Sequence, residues 1–464
     1  MLSQIRLALV LSSSLLLSSC TNLSAGNLFS HYSAQNQDMY QAVKSGQYQK
    51  AEEELLNQVA GEILDNMEKG RVYFLNAQYE QSKSSLEASD KAVQVQQDKA
   101  VISVSDTATN VGSIAVNDNL NIYRPADYEL GFLHLYLGLN YLQQNSLEGA
   151  LVEMRRGNQV QEKARKEREK ELESAAKEMQ SQGLSPNLGS VLSNYPDAGK
   201  QLQAVQNGYL LYLSALLYET ANNLNDAWVD YRRALAVMPD NRDVIDGAMR
   251  VGRRLGMRQD VSLMEKRYGK HKAMPIGKSR VLFIEEQGVV EAMQSWRLTL
   301  PIYDSRDNVG LYSLALPYYP AQPIPTLGRY TIDGQSVSGH LLTDVNLMAQ
   351  RDLSERIPAM VIRQALRVWA KDRLRKEATK KGDDVGNLIF NVWNTLTEQP
   401  DTRSWLTLPG AVLSGSRYVT PGTQTLSVDG KQYQFNVEAG QTALVWISRQ
   451  GGNATIWHKQ LGKL

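Results

Sequence analysis

Residue types able to carry covalent or metal chemistry are sparse in this chain. Five histidines, His31, His134, His271, His340 and His458, are scattered, with no HExxH and no pair at helical spacing. A site in which two imidazoles share one helix face is therefore not expected, and no metal or cofactor is implied. Gly277-Lys278-Ser279 imitates the end of a phosphate loop. Lys272 and Ala273, however, stand where the loop's first glycine belongs, and the strand follows the motif instead of preceding it, so it reads as a linker. Ser336 and Ser338 lie close to His340 but lack the G-x-S-x-G elbow that exposes a nucleophile at a strand-to-helix turn, and they read as part of a turn. Glu285 and Glu286 are neighbours on an expected strand, where adjacent side chains leave by opposite faces, so they do not form an acid and base pair. Asp401-Thr402-Arg403-Ser404-Trp405 gathers an acid, a guanidinium and an indole. It could bind a sugar or a carboxylate; the preferred reading is an Asp to Arg pair that fixes a buried tryptophan.

One thiol remains. Cys20 is the only cysteine, so no internal disulfide is expected. Ahead of it come a basic start with Arg6, an apolar run from Leu7 to Leu17, and the small residues Ser18 and Ser19. This is a secretory signal layout. The run is well short of the roughly 20 residues that span a bilayer, and Ser12, Ser13 and Ser14 interrupt it. Leu17-Ser18-Ser19-Cys20 resembles the bacterial lipobox, which implies cleavage before Cys20 and acylation of its thiol. In such lipoproteins an aspartate after the cysteine holds the protein on the inner membrane. Thr21 occupies that place, which implies the outer membrane, lipid-anchored and facing the periplasm.

Lys plus Arg number 50 and Asp plus Glu 49, so no global bias points to nucleic acid. With 42% hydrophobic residues the chain can bury sizeable cores, and its length suggests two or three domains. Tetratricopeptide repeats recur at about 34 residues, and one copy is clear from Gly208 to Asn241. Tyr218, Ala227, Tyr231, Ala234 and Pro239 hold its aromatic, small, aromatic, small and proline positions. The alanines let two helices approach, the aromatics fill the gap, and the proline stops the second helix. A second copy runs from Gly131 to about Asn158, with Leu137, Gly138, Tyr141 and Ala150. Two degenerate copies precede it, Gly46-Gln47-Tyr48 with Ala51 and Leu55, then Gly70, Tyr73, Tyr79 and Leu86. Four helical pairs suffice for a stable array, because each unit needs a neighbour to cover its apolar face.

Residues 100–125, rich in Ser, Thr, Asn and Val, are expected as a loop or a short strand pair. Gln159 to Gln182 is expected as an exposed, charged helix extension that stops at Gly183-Leu184-Ser185-Pro186. At positions that line the concave face of such arrays stand Phe132, Leu135, Leu139 and Leu142, then Tyr209, Tyr212 and Leu216. A groove this apolar requires a cover, from a partner helix or from the protein's own chain.

Near Met274-Pro275-Ile276-Gly277 the pattern changes to short β-type runs, with strands expected at Val281 to Ile284, Trp296 to Tyr303 and Leu311 to Tyr319. A helix follows from about Ile357 to Lys381, with an apolar stripe of Val361, Ile362, Ala365, Leu366 and Trp369. Arg363, Arg367, Lys371 and Arg375 form a basic row, read as a solvated or paired face, with anionic head groups or an acidic partner as the alternative. From Arg417 to Ile447 runs a meander of hairpins with turns at Pro421-Gly422, Asp429-Gly430 and Ala439-Gly440. It resembles the small β-sandwich modules of PEGA type, which are usually non-catalytic.

The order of lipobox, degenerate repeats, Asp127-Tyr128-Glu129 to Arg155-Arg156, and Asp401 to Trp405 with Leu408-Pro409 resembles uncharacterised tetratricopeptide-type lipoproteins of Gram-negative bacteria. The expected fold is α+β. A signal peptide (1–19) and tether (20–36) lead to a tetratricopeptide-like α-helical solenoid (37–270), a mixed strand and helix region (275–409) and a PEGA-like antiparallel β-sandwich (410–464). The expected function is a non-catalytic scaffold in envelope assembly or maintenance. Its partners would be the membrane, through the acyl chains on Cys20, and an envelope protein. The alternative is a periplasmic enzyme, such as a cell-wall hydrolase, with its site in the C-terminal domain.

Overall fold

The computed structural model describes residues 31–56, 59–103, 123–181, 185–186, 205–303, 309–320, 330–379 and 400–464. The signal segment, Cys20, Thr21 and most of the insertion at 100–125 lie outside them.

The helical half is an array of tetratricopeptide-type antiparallel pairs. After a single turn, α1 (Tyr32–Gln35), the pairs are α2 (Gln37–Lys44) with α3 (Tyr48–Glu53), α4 (Glu62–Leu75) with α5 (Tyr79–Ser103), and α6 (Asp127–Gln143) with α7 (Leu147–Ser181). Then come α8 (Gly208–Thr220) with α9 (Leu224–Val237), and α10 (Arg242–Arg254) with α11 (Arg258–Tyr268). One device makes every intra-pair turn. Gly46, Ala77, Asn145, Asn222 and Gly256 all take positive φ, between 58° and 76°. Around each, the next residue's N–H reaches back five residues, as from Gln47 to Ala42, Ser146 to Tyr141 and Met257 to Gly252. This satisfies the carbonyls left open by the ending helix and reverses the chain. The structure thus has a fifth pair, 242–268, that the sequence reading left out; its helices lack the alanine and proline spacing that marks 208–241.

Ala150, Tyr218, Ala227, Tyr231 and Ala234 are buried at the helix crossings. Tyr141 and Pro239 are half-buried. Close approach has a measurable form: a Cβ on Gly138 would lie 2.3 Å from Met154, and one on Gly247 2.2 Å from the Tyr231 ring.

Among the described residues the strands form three sheets, all but β1 drawn from the C-terminal half. A five-stranded sheet has the order β12 (Asn453–Gly462), β11 (Thr442–Gln450), β2 (Ser279–Gln287), β8 (Ala411–Val419) and β7 (His340–Asp344). Its central neighbours β2 and β11 are parallel, and every other pairing is antiparallel. A four-stranded sheet follows the order β10 (Lys431–Val437), β9 (Gly422–Val428), β5 (Thr331–Ile332), β6 (Gln335–Ser336). The third joins β1 (Ser185–Pro186), β3 (Gln294–Tyr303) and β4 (Val309–Tyr318), with α12 (Val345–Thr379) packed on β4 through Leu353, Ile357 and Val361.

Strand alternation makes the five-stranded sheet the middle of three layers. Val281, Phe283, Ala443, Val445 and Ile447 face the four-stranded sheet and meet Leu426, Val428 and Phe435. The alternate residues Leu282, Ile284, Leu444 and Trp446 join the core of the helical array. All nine residues of β2 and of β11 are buried as a result.

Two expectations need correction. The boundary at 409/410 cuts through one sheet: β2, at its centre, comes from the region assigned to 275–409, and β5 to β7 complete both sheets around 411–462. The β module is therefore not a separate unit of 410–464. The helix expected from about Ile357 begins at Val345 and runs through Pro358, because packing on β4 overrides proline's local cost. Of its stripe, Val361, Ile362, Ala365 and Leu366 are buried; the side chains of Trp369, Arg367, Lys371 and Arg375 lie outside the described residues.

Candidate functional site

The concave face of the array is where sequence reasoning put a binding groove. Phe132, Leu135, Leu139, Tyr209, Tyr212 and Leu216 are each at most 1% exposed. As a surface open to a partner, that set is corrected: the protein's own chain fills the groove. Phe132 stacks on Tyr136 and meets Tyr209 edge-on, with centroids 6.1 and 6.5 Å apart. Tyr212 turns to Tyr231 of its own pair instead.

Two pieces of chain make the cover. The first is Glu286 of β2, fully buried, aimed into the array by strand alternation. Its carboxylate accepts from Arg71 of α4 at 2.5 Å, Tyr136 of α6 at 3.1 Å and Tyr209 of α8 at 3.3 Å. From β11, Trp446 Nε1 donates to it at 3.2 Å and Ser448 Oγ at 3.2 Å. Three successive first helices thus converge on one carboxylate. Arg71, also fully buried, donates to the Thr407 carbonyl and to Ser448 Oγ, and its guanidinium lies 4.6 Å from the Tyr136 ring centroid. Burial is the largest influence and opposes its charge, but Glu286 together with Tyr136, Tyr48 and Tyr209 outweighs it and raises its pKa. Glu285 leaves by the opposite face and pairs with Arg449 at 2.6 Å, as adjacent strand residues must.

The second piece is the segment 402–408, threaded along the groove between α4 and α6. Thr402, Ser404, Trp405, Leu406, Thr407 and Leu408 are all buried. The Trp405 N–H donates to Glu129 of α6 at 2.7 Å. The N–H groups of Leu406 and Thr407 donate to Glu68 of α4 at 2.6 and 3.2 Å, and the Thr407 hydroxyl adds a bond of 2.6 Å. Glu129 also takes the Ala126 N–H at 2.7 Å and the Tyr123 hydroxyl at 2.5 Å; Glu68 takes Tyr32 at 3.3 Å. Neither carboxylate has a cation at ion-pair distance among the described residues. Burial therefore dominates and pushes Glu68 up to about 8 and Glu129 up to about 7, although each hydrogen bond pulls the other way. Ahead of the segment, Asp401 holds Arg403 at 2.6 Å and Trp405 is fully buried, which is the structural arrangement preferred from sequence.

Helix starts fix the sheet's far edge. Asn241 caps α10, accepting from the N–H groups of Asp243 and Val244, while its amide donates to the carbonyls of His340 and Leu341. Beside it Asp246 binds Arg250 at 2.6 Å, Arg280 of β2 at 2.7 Å and His271 at 3.0 Å. Burial alone would raise its pKa; these three groups overcome it and hold Asp246 down at about 2.

The array's groove is an intramolecular docking site. Against known proteins, no family model matches this chain, and no curated protein matches it. Among solved structures, MamA of AMB-1 is similar over 50% of this chain and 87% of its own, at 12% identity and a TM-score of 0.28. MamA of MSR-1 covers 50% and 91%, at 11% identity and 0.27; the yeast Sti1 TPR2AB domain in complex with pHSP90 covers 50% and 87%, at 11% and 0.19. The tetratricopeptide character of the helical half rests on its own pairs and turns.

The other residues singled out from sequence are dispersed. Gly277, at φ 75°, makes the turn before β2, where Lys278 binds Thr420 and Ser279 the Glu438 carbonyl. His340 starts β7, and Ser336 and Ser338 are exposed on the other side of Gly339. Among the described residues no group of three or more His, Cys, Asp or Glu could hold a metal ion, and no helix is long and apolar enough to cross a membrane. Sequence reasoning missed Glu68, Arg71 and Ser448. Glu68 and Arg71 lie one turn apart on a helix, which reads as an ordinary solvated ion pair. Glu129 carried a signal: as the third residue of α6, it reaches back to the N–H at the helix start.

Proposed function

We propose that the protein is a non-catalytic, protein-binding scaffold of the cell envelope, tethered by acyl chains on Cys20 to the periplasmic face of the outer membrane. The observation that carries the scaffold reading is the closure of the repeat groove by Glu286 and 402–408. The buried ionisable groups at its centre, Glu68, Arg71, Glu129 and Glu286, direct their hydrogen bonds at the protein's own backbone and side chains. Chemistry of this kind joins helices to sheet and yields one body with fixed outer faces. Partners then meet those faces instead of the groove. The lipobox-like Leu17-Ser18-Ser19-Cys20 supports the tether, and two or more acyl chains on one thiol-bearing terminus give stable anchoring.

Fractionation of cells carrying Cys20→Ala tests the tether: the variant should leave the outer-membrane fraction as a soluble or unprocessed form. If it stays membrane-bound through a high-salt wash, the acyl anchor is wrong. Cross-linking in intact envelopes tests the scaffold, which should yield a discrete protein adduct. Turnover of peptidoglycan or peptide by the purified chain, lost on changing one polar residue, would overturn the non-catalytic reading.

A further inference from the structure

The outer face of the array carries a pattern of its own. Val152, Val229 and Leu263 are 43%, 54% and 64% exposed, and each is the sixth residue of its second helix, α7, α9 and α11. Three residues on, one turn along the same face, stand Arg155, Arg232 and Lys266, all exposed. Isolated surface aliphatics need no explanation; the same aliphatic and cation at one register in three stacked repeats does. The helices that carry them lie side by side, tied by Asn158 to Asp230 at 3.3 Å, Arg233 to Glu162 at 3.5 Å and Arg232 to Asp260 at 3.6 Å.

Charge on this face is unbalanced towards α11. Its two acids are already engaged, Asp260 with Arg232 and Glu265 with Arg253. Lys266 and Arg267, three and four residues on from Leu263 and so on its face, are exposed, with no acidic partner at ion-pair distance among the described residues. A terminal helix of a repeat array normally turns a polar face to water. Here it offers a large aliphatic ringed by uncompensated cations.

We propose that the outward face of α9 and α11 docks an amphipathic helix of a partner protein, one that sets aliphatic residues against Val229 and Leu263 and acidic residues against Lys266 and Arg267. This rests on the scaffold reading and names its surface. A helix fits because one face of it can carry aliphatic residues for Val229 and Leu263 with acidic residues three and four positions away for the cations beside them.

The test is a photo-cross-linking amino acid placed at Leu263, at Val229 and, as a reference away from this face, at Leu56, in the full chain in intact cells. Helical circular dichroism confirms that each variant folds. The expected result is an adduct with a polypeptide from 263 and 229 and not from 56. Mass spectrometry should find the linked segment acidic and amphipathic, and Lys266→Glu with Arg267→Glu should cut the yield roughly tenfold. An adduct with lipid alone, a linked segment without acidic residues, or a yield indifferent to charge reversal overturns the proposal. Protein adducts confined to 56 overturn this surface while leaving the scaffold reading standing; no protein adduct from any of the three positions counts against both.

Discussion

Replacing Glu286 by Gln removes the charge on which three helices converge while keeping the side chain's shape. Arg71 is then left as a fully buried cation without a countercharge, keeping the amide oxygen at position 286, the Thr407 carbonyl, Ser448 and the faces of Tyr136 and Trp446 around it. Breaking one side of such a pair costs about 3–5 kcal/mol, and the new amide would point donors at Tyr136, Tyr209 and Trp446, which already donate there. Arg71→Met alone should cost a similar amount, because Glu286 becomes a buried, unpaired anion. The double variant removes both charges together, so its loss should fall short of the sum by about 2 kcal/mol or more. Urea unfolding of wild type and the three variants, followed by far-ultraviolet circular dichroism, gives the coupling directly. If the two losses add within about 0.5 kcal/mol, the pair does not hold the array to the sheet as a unit, and the account of the closed groove is wrong.

Glu68 and Glu129 predict an unusual pH dependence. Their pKa values rise on folding, from 4.5 to about 8 and about 7, so the stabilisation they contribute is complete below pH 4.5 and is lost as pH rises through 7 to 8. Melting temperature should therefore fall between pH 5 and 8.5, and Glu68→Gln with Glu129→Gln should flatten that fall; an unchanged profile in the double variant refutes the assignment. Trp405→Ala should cost about 3–5 kcal/mol by opening a cavity in the groove, and hydrogen exchange should then speed up in 402–408 and along α4 and α6; a loss below about 1 kcal/mol in thermal melts would mean the segment does not fill the groove. Gly208→Ala places a Cβ 2.2 Å from the Leu342 carbonyl oxygen, and should cost about 1–3 kcal/mol as α8 is pushed off β7, whereas Gly452→Ala, with nothing within 4 Å, should leave stability near wild type.

What the sequence by itself determined is local. The alanine, tyrosine and proline spacing of 208–241 is a contact rule between helices a few residues apart in the chain, so it specifies its pair without help from elsewhere. Turn residues at Gly46, Asn145 and Asn222 mark reversals because only a backbone with positive φ closes them. Asp429-Gly430 fixes the β9–β10 hairpin for the same reason. Alternation also separated Glu285 from Glu286. The tertiary structure decided the rest. Nothing near Ser279 or Thr442 says that β2 and β11 will lie side by side and parallel, because a pairing across that much chain leaves no periodic trace. Arg71 and Glu68 look like solvated charges one helical turn apart, and become buried only because 402–408 and β2 close over them. The groove's apolar lining, from Phe132 to Leu216, called for a cover; which chain supplied it depended on backbone N–H groups of Trp405, Leu406 and Thr407, donors that every residue but proline carries and that no sequence pattern can single out.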